Sequence, residues 1–266
     1  MAGEEWARRI IQKELGREVF LNDDGSRNAM YDLRIGPPDA PEIAIEVVGA
    51  VDPTYTETWN VGPAKGPLKL SIEGNWIVEI APTARVKDVK RGIEHLLKRL
   101  ERDGVYTVDA HSLSSHSALF DEISGLQVTN ASCNRISGSG KVYLTMPGIC
   151  DWVDDKGDEV PEWLDVFLRD PARKDVLLKL QHSGASYCHV FVIVTSMGAT
   201  EAIELYLTGS FEHIPSKAPD LPPPITGAWL VSSLGCDMQK ALYWDAKCWR
   251  LVQARGEGID DKPLKP

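Results

Sequence analysis

The chain has 266 residues, 43% of them apolar and 26% charged, with a net charge of −10 at pH 7 and a pI near 5.1. That length fits about two average domains or one α/β domain carrying an insertion, and no run of about 18 apolar residues offers a membrane span. The acidic balance argues against a surface that coats nucleic acid over its whole extent, because neutralisation of phosphates by Lys and Arg drives such binding; a local cationic groove, or an acidic site screened by a bound cation, is compatible with it.

At about 100° per residue, Trp6, Ala7, Ile10, Ile11 and Leu15 share one face, which predicts a helix over 4–15 ended by Gly16. A β-prone piece at 18–21 leads to a turn at 22–25. Residues 30–35 (MYDLRI) predict a strand stopped by Gly36-Pro37-Pro38, and 42–48 (EIAIEVV) predict the strongest strand of the chain. Residues 68–72 and 76–80 read as strand, turn and strand, and 84–103 as an amphipathic helix with Gly104 just past its end. From 106 to 160 Ser, His, Asn and Gly dominate, with one strand at 142–145; this stretch reads as an insertion or small lobe. A helix over 161–183, with Pro161 in its first turn, leads to a buried-type strand at 188–195. A stiff connector over 215–224 holds five prolines and precedes strands at 228–231, 241–244 and 248–252. The tail after 254 is polar and expected to fray.

The chemistry concentrates between Tyr31 and Val48. Asp32 and, 14 residues later, Glu46 each interrupt an apolar strand. Carboxylates on neighbouring strands can face one side and hold a hard divalent cation, with the Val47 carbonyl as a third ligand; Mg²⁺ prefers such oxygen donors and keeps several waters. A bound Mg²⁺ or Mn²⁺ would polarise a phosphodiester and acidify a water. The plainer alternative is that both acids emerge at strand ends or pair with Arg34 or Arg27. On α-helical phase Glu4 and Glu14 fall within the apolar face and Glu5 opposite it; a buried carboxylate needs a partner, which makes Glu4 the preferred third acid and Glu14 the second, against a simple helix-dipole role. Arg27, in the polar tract Asn22–Asn28, is a candidate bidentate phosphate ligand, or part of a polar turn. Asp52 and Trp59 read either as borders of the cleft or, more simply, as a cap and a core aromatic.

The order helix, turn, strand with Asp, strand with Glu-x-x, then a further strand and helix resembles the PD-(D/E)XK, restriction-endonuclease-like nucleases. That resemblance covers residues 1–105 and the strand at 188–195. It implies an α/β fold: an αβββαβ core, a mixed sheet flanked by helices, over 1–105, an insertion over 106–160, and further helix and strands over 161–254. It also implies a metal site at Asp32 and Glu46 with a further acid on the first helix. The sequence departs from the pattern at Val48, which stands where the family carries its lysine and can neither donate a proton nor stabilise negative charge. Some nucleases of this kind take that cation from elsewhere, and Lys65 or Lys69 are candidates. The chain also resembles a group of bacterial proteins sharing the N-D-D-G-S-R, Y-D-L-R-I and A-I-E-V opening and a tryptophan-rich end, which implies no established activity.

Other signals are weaker. Ser137–Lys141 lacks the first glycine and the final Ser/Thr of a P-loop; His111 and His116 have no partners at ligand spacing; no G-x-S-x-G is present. The eight tryptophans lack the interleaved basic residues of a stacking platform. The five cysteines are odd in number and widely spaced, as free thiols are. With a charged opening that has no signal-peptide core, the expected location is cytoplasmic, with no membrane partner. Two readings follow: a metal-dependent nuclease acting on nucleic acid, DNA in a restriction or defence role, or a degenerate nuclease fold serving as a binding or regulatory subunit with a protein partner or second copy. An unrelated α/β enzyme acting on a small molecule from a different pocket is the third.

Overall fold

The computed structural model describes residues 2–23, 30–113, 118–134, 140–147, 156–195, 201–208, 213–233 and 240–253. In chain order the elements are α1 (Ala2–Leu15), β1 (Phe20–Leu21), β2 (Leu33–Ile35), β3 (Ile43–Ala50), α2 (Pro53–Val61), β4 (Leu68–Lys69), β5 (Asn75–Ile80), α3 (Val86–Arg102), β6 (Thr107–Asp109), α4 (Ala118–Gly125), β7 (Val128–Asn134) and β8 (Lys141–Thr145). They continue as α5 (Glu159–Arg169), α6 (Lys174–His182), β9 (Tyr187–Val194), α7 (Glu201–Thr208), β10 (Gly227–Ser232), β11 (Lys240–Trp244) and β12 (Trp249–Gln253). No described helix is long and apolar enough to cross a membrane.

The chain divides into two compact units, Met1–Val51 with Cys150–Pro266, and Asp52–Ile149. The first holds a seven-stranded sheet in the order β1-β2-β3-β9-β10-β11-β12. β3, β9 and β10 run parallel, and the outer pairs are antiparallel. The parallel centre is buried on both faces, which is why β3 and β9 read as near-continuous apolar runs rather than as alternation. One face packs Ala44, Val48, Val190, Val192 and Leu230 against Leu164, Val176, Leu180 and Ile203 of α5, α6 and α7. The other packs Ile45, Phe191, Trp229 and Tyr243 against Ala7, Ile10 and Ile11 of α1. The result is an α/β unit in which a mixed sheet is flanked by helices.

The single helix expected over 161–183 is two helices. Pro171 disfavours the α conformation at Asp170 before it, and Asp170 is extended (φ −57°, ψ 129°), its Oδ1 accepting the Ala172 N–H at 2.8 Å. This break lets α6 lie along β3 and β9 at its own angle. Its consequence for the site is Lys179.

The second unit has its own five-stranded sheet, β4-β8-β5-β7-β6. The expected core over 1–105 is therefore corrected. β5 pairs with β7 and β8, not with β3, so strands 68–72 and 76–80 and helix 84–103 belong with the following segment. The boundaries fall at 51/52 and 149/150 instead of 105/106 and 160/161. The weak pattern of 106–160 hides β6, α4 and β7, whose inward positions are held by small or isolated apolar residues such as Val108, Ile123 and Ala131. The tail beyond 254 lies outside the described residues.

Candidate active site

Asp32 sits one residue before β2, not inside a strand as expected. β2 and β3 pair through Leu33↔Ile45, and one further step of that register sets Asp32 across from Glu46. The ladder stops there because Asp32 uses its side chain instead: the Val47 N–H donates to Asp32 Oδ2 at 2.7 Å. The Asp32 carbonyl in turn accepts the Asn22 N–H at 2.7 Å, and Asn22 Nδ2 donates to the Tyr31 carbonyl. The segment before β2 is thus tied on both sides, and the carboxylate is fixed on the α6 face of the sheet.

Glu46 is the fourth residue of β3 and shares that face with Ala44 and Val48. Both acids are buried, Asp32 at 8% and Glu46 at 4% exposure. Lys179 reaches down from α6 and donates from Nζ to Glu46 Oε1 at 2.6 Å. Glu46 Oε2 is buried with no hydrogen-bond partner. Arg34 is engaged elsewhere, donating to the Gly36 carbonyl and lying over the Phe20 ring, and Arg27 lies outside the described residues.

The electrostatics follow from burial. Desolvation raises the Asp32 carboxyl above the usual range, opposed by the Val47 N–H and by Lys179. Desolvation and then the Asp32 charge push Glu46 up to about 7, and the Lys179 hydrogen bond and charge only partly offset them. Burial disfavours the Lys179 ammonium, but Glu46, Asp32 and Asp175 together outweigh it and hold Lys179 above the ordinary lysine range. The site is a pair of buried acids sharing one cation, with one carboxylate oxygen unpartnered.

The other sequence candidates separate. Glu4 is half-buried on α1, and its charge contributes to raising Asp32. Glu5 pairs with Arg8 and Arg9, and Glu14 is exposed. Asp52 caps α2, its Oδ1 accepting the Tyr55 N–H at 3.0 Å, and Trp59 is a half-buried residue of α2. Lys65 and Lys69 belong to the second unit; the cation beside Glu46 is Lys179 instead. His116 and 135–139 lie outside the described residues. The sequence reading missed Lys179, although a signal exists: Val176 and Leu180 are buried, so Lys179 is a lysine set beside the apolar stripe of its helix.

Two carboxylates and an unpartnered buried oxygen suit a small divalent cation, since Mg²⁺ is held by one or two carboxylates and completes its shell with water. Among the described residues no group of three or more His, Cys, Asp or Glu side chains could hold a metal ion, so an ion here would rest on Asp32 and Glu46 with backbone and water. No family model matches the chain, and no curated protein or solved structure matches it.

Proposed function

We propose that the chain is a metal-dependent nuclease of the PD-(D/E)XK type. Its αβββαβ core would be α1, β1, β2, β3, α6 and β9, with the second unit inserted between the third strand and the helix. The observation that carries this reading is that Asp32, just before β2, faces buried Glu46 of β3 across the register, with Lys179 of α6 on Glu46 and near enough to Asp32 to lower its pKa. Asp32, Glu46 and the Val47 carbonyl would hold Mg²⁺ or Mn²⁺. Such an ion polarises a phosphodiester oxygen and lowers the pKa of a coordinated water. The chain's own residues then have separate tasks. The Val47 N–H orients Asp32. Glu46, its carboxyl pushed up to about 7 by burial and Asp32, would have to be deprotonated to serve as a ligand. The Lys179 ammonium, held beside Glu46, would stabilise charge building on the phosphate, the task Val48 cannot perform.

Cleavage assays test this on labelled single- and double-stranded DNA and on RNA, with Mg²⁺ or Mn²⁺. Asp32→Asn and Glu46→Gln should abolish cleavage, and activity surviving in both variants would remove this site from the account.

One observation favours the second reading, a nuclease-like fold kept as a binding or regulatory subunit. The 2.6 Å Lys179–Glu46 pair neutralises Glu46 without any ion. That reading expects no cleavage of any substrate and no difference in Mn²⁺ binding between wild type and Glu46→Gln.

A further inference from the structure

The sheet of the second unit has one covered face and one open face. On the covered face Trp76 and Val78 are fully buried, and the Trp76 Nε1–H donates to Glu101 of α3 at 3.1 Å. Strand alternation sends their neighbours the other way. Ile77 and Tyr143 are register partners there, 51% and 43% exposed at the centre of the sheet. Two residues along β8, about 6.7 Å away at ordinary strand rise, Lys141 stands directly opposite Lys69 of β4. Like charges in directly opposed positions destabilise a sheet. Among the described residues neither lysine side chain has an ion pair or hydrogen bond to offset this. At the other end of the same face stand Glu79 and Asp109. The surface therefore runs from paired cations, through an exposed aromatic ring, to acids.

We propose that this face binds single-stranded nucleic acid, with a base stacked on Tyr143 beside Ile77 and its phosphate between Lys69 and Lys141. An aromatic ring takes any base by its face, and a flanking cation takes the backbone. A duplex hides its base faces, so it cannot use the ring. The acidic end fixes polarity, repelling phosphate where the lysines attract it. The inference is independent of the nuclease reading, because it involves neither Asp32 nor Glu46.

The test is fluorescence anisotropy of the full chain with labelled oligo-dT and oligo-U and with a duplex of the same length, in EDTA so that no metal-dependent cleavage contributes. The expected result is binding of at least one single strand in preference to the duplex. Tyr143→Ala should weaken it about tenfold and Tyr143→Phe should preserve it, as stacking requires. Lys69→Ala and Lys141→Ala should each lower the slope of log K against log salt by about 0.7. Absence of single-strand binding, equal binding of duplex, or binding indifferent to Tyr143→Ala would overturn the proposal. The outcome leaves the cleavage assays on Asp32 and Glu46 to stand or fall separately.

Discussion

Replacing Glu46 by Gln tests the electrostatics of the site through stability alone. The Glu46 carboxyl lies near 7 in the fold against 4.5 when unfolded. A raised acid pKa means that the folded chain binds more protons than the unfolded chain between those values, so stability falls as pH rises through that window. At 1.36 kcal/mol per pKa unit, the loss between pH 5 and pH 8 amounts to about 2.5 kcal/mol. Glutamine resembles the neutral carboxyl and has nothing to ionise. Glu46→Gln should therefore be within about 1 kcal/mol of wild type at pH 5 and should gain about 2.5 kcal/mol on it by pH 8, on the same linkage. Urea unfolding in EDTA at pH 5, 6, 7 and 8, followed by tryptophan fluorescence, measures the difference. Contributions from other titrating groups largely cancel between the two chains. A gap that stays constant with pH would mean that Glu46 titrates in the ordinary range, and the account of a strained, desolvated acid would fail.

Lys179→Met should leave Mn²⁺ binding in place while lowering cleavage by about 100- to 1000-fold, the usual cost of removing one group that stabilises developing charge; loss of both together would make Lys179 a structural support. His189 is neutral in the core, its pKa pulled by burial from 6.5 down to about 4. The unfolded chain therefore takes up a proton first on acidification, and stability declines as pH falls from 6.5 to 4 by about 3 kcal/mol. In His189→Leu the decline between pH 7 and pH 4.5 should be smaller than in wild type by about 2 kcal/mol, as urea midpoints at those two pH values would show. A Cβ on Gly227 would lie 2.6 Å from the His189 ring, so Gly227→Ala should cost about 1–3 kcal/mol, read as a lower melting temperature and relieved when His189 is also made Ser.

The parts of this architecture legible in the sequence are those with strong local patterns. α1 and α3 carry helical periodicity, and β3 and β9 β-rich apolar runs, dense enough to locate from residue types, and Asp32 and Glu46 stand out because each interrupts an apolar run. What was not legible is non-local. Nothing in residues 68–103 says that β5 pairs with β7 and β8 instead of β3, since its alternation suits either sheet. That pairing moved the unit boundary to residue 51. β7, VTNASCN, buries only Val128 and Ala131 deeply, too little apolar content to announce a central strand. α2 and α7 are short, with eight or nine residues each. Lys179 lies 133 residues from Glu46, and only the parallel placement of β9 beside β3 brings α6 over the acid.

Calorimetric titration with Mn²⁺ at pH 7, in buffers of different ionisation enthalpy, puts the central claim to the most direct test. If Asp32 and Glu46 share a cation, wild type binds at one site and releases about half a proton from Glu46, whose pKa lies at about 7, while Asp32→Asn and Glu46→Gln lose the binding. Identical heats in all three chains, or none in wild type, would contradict the claim.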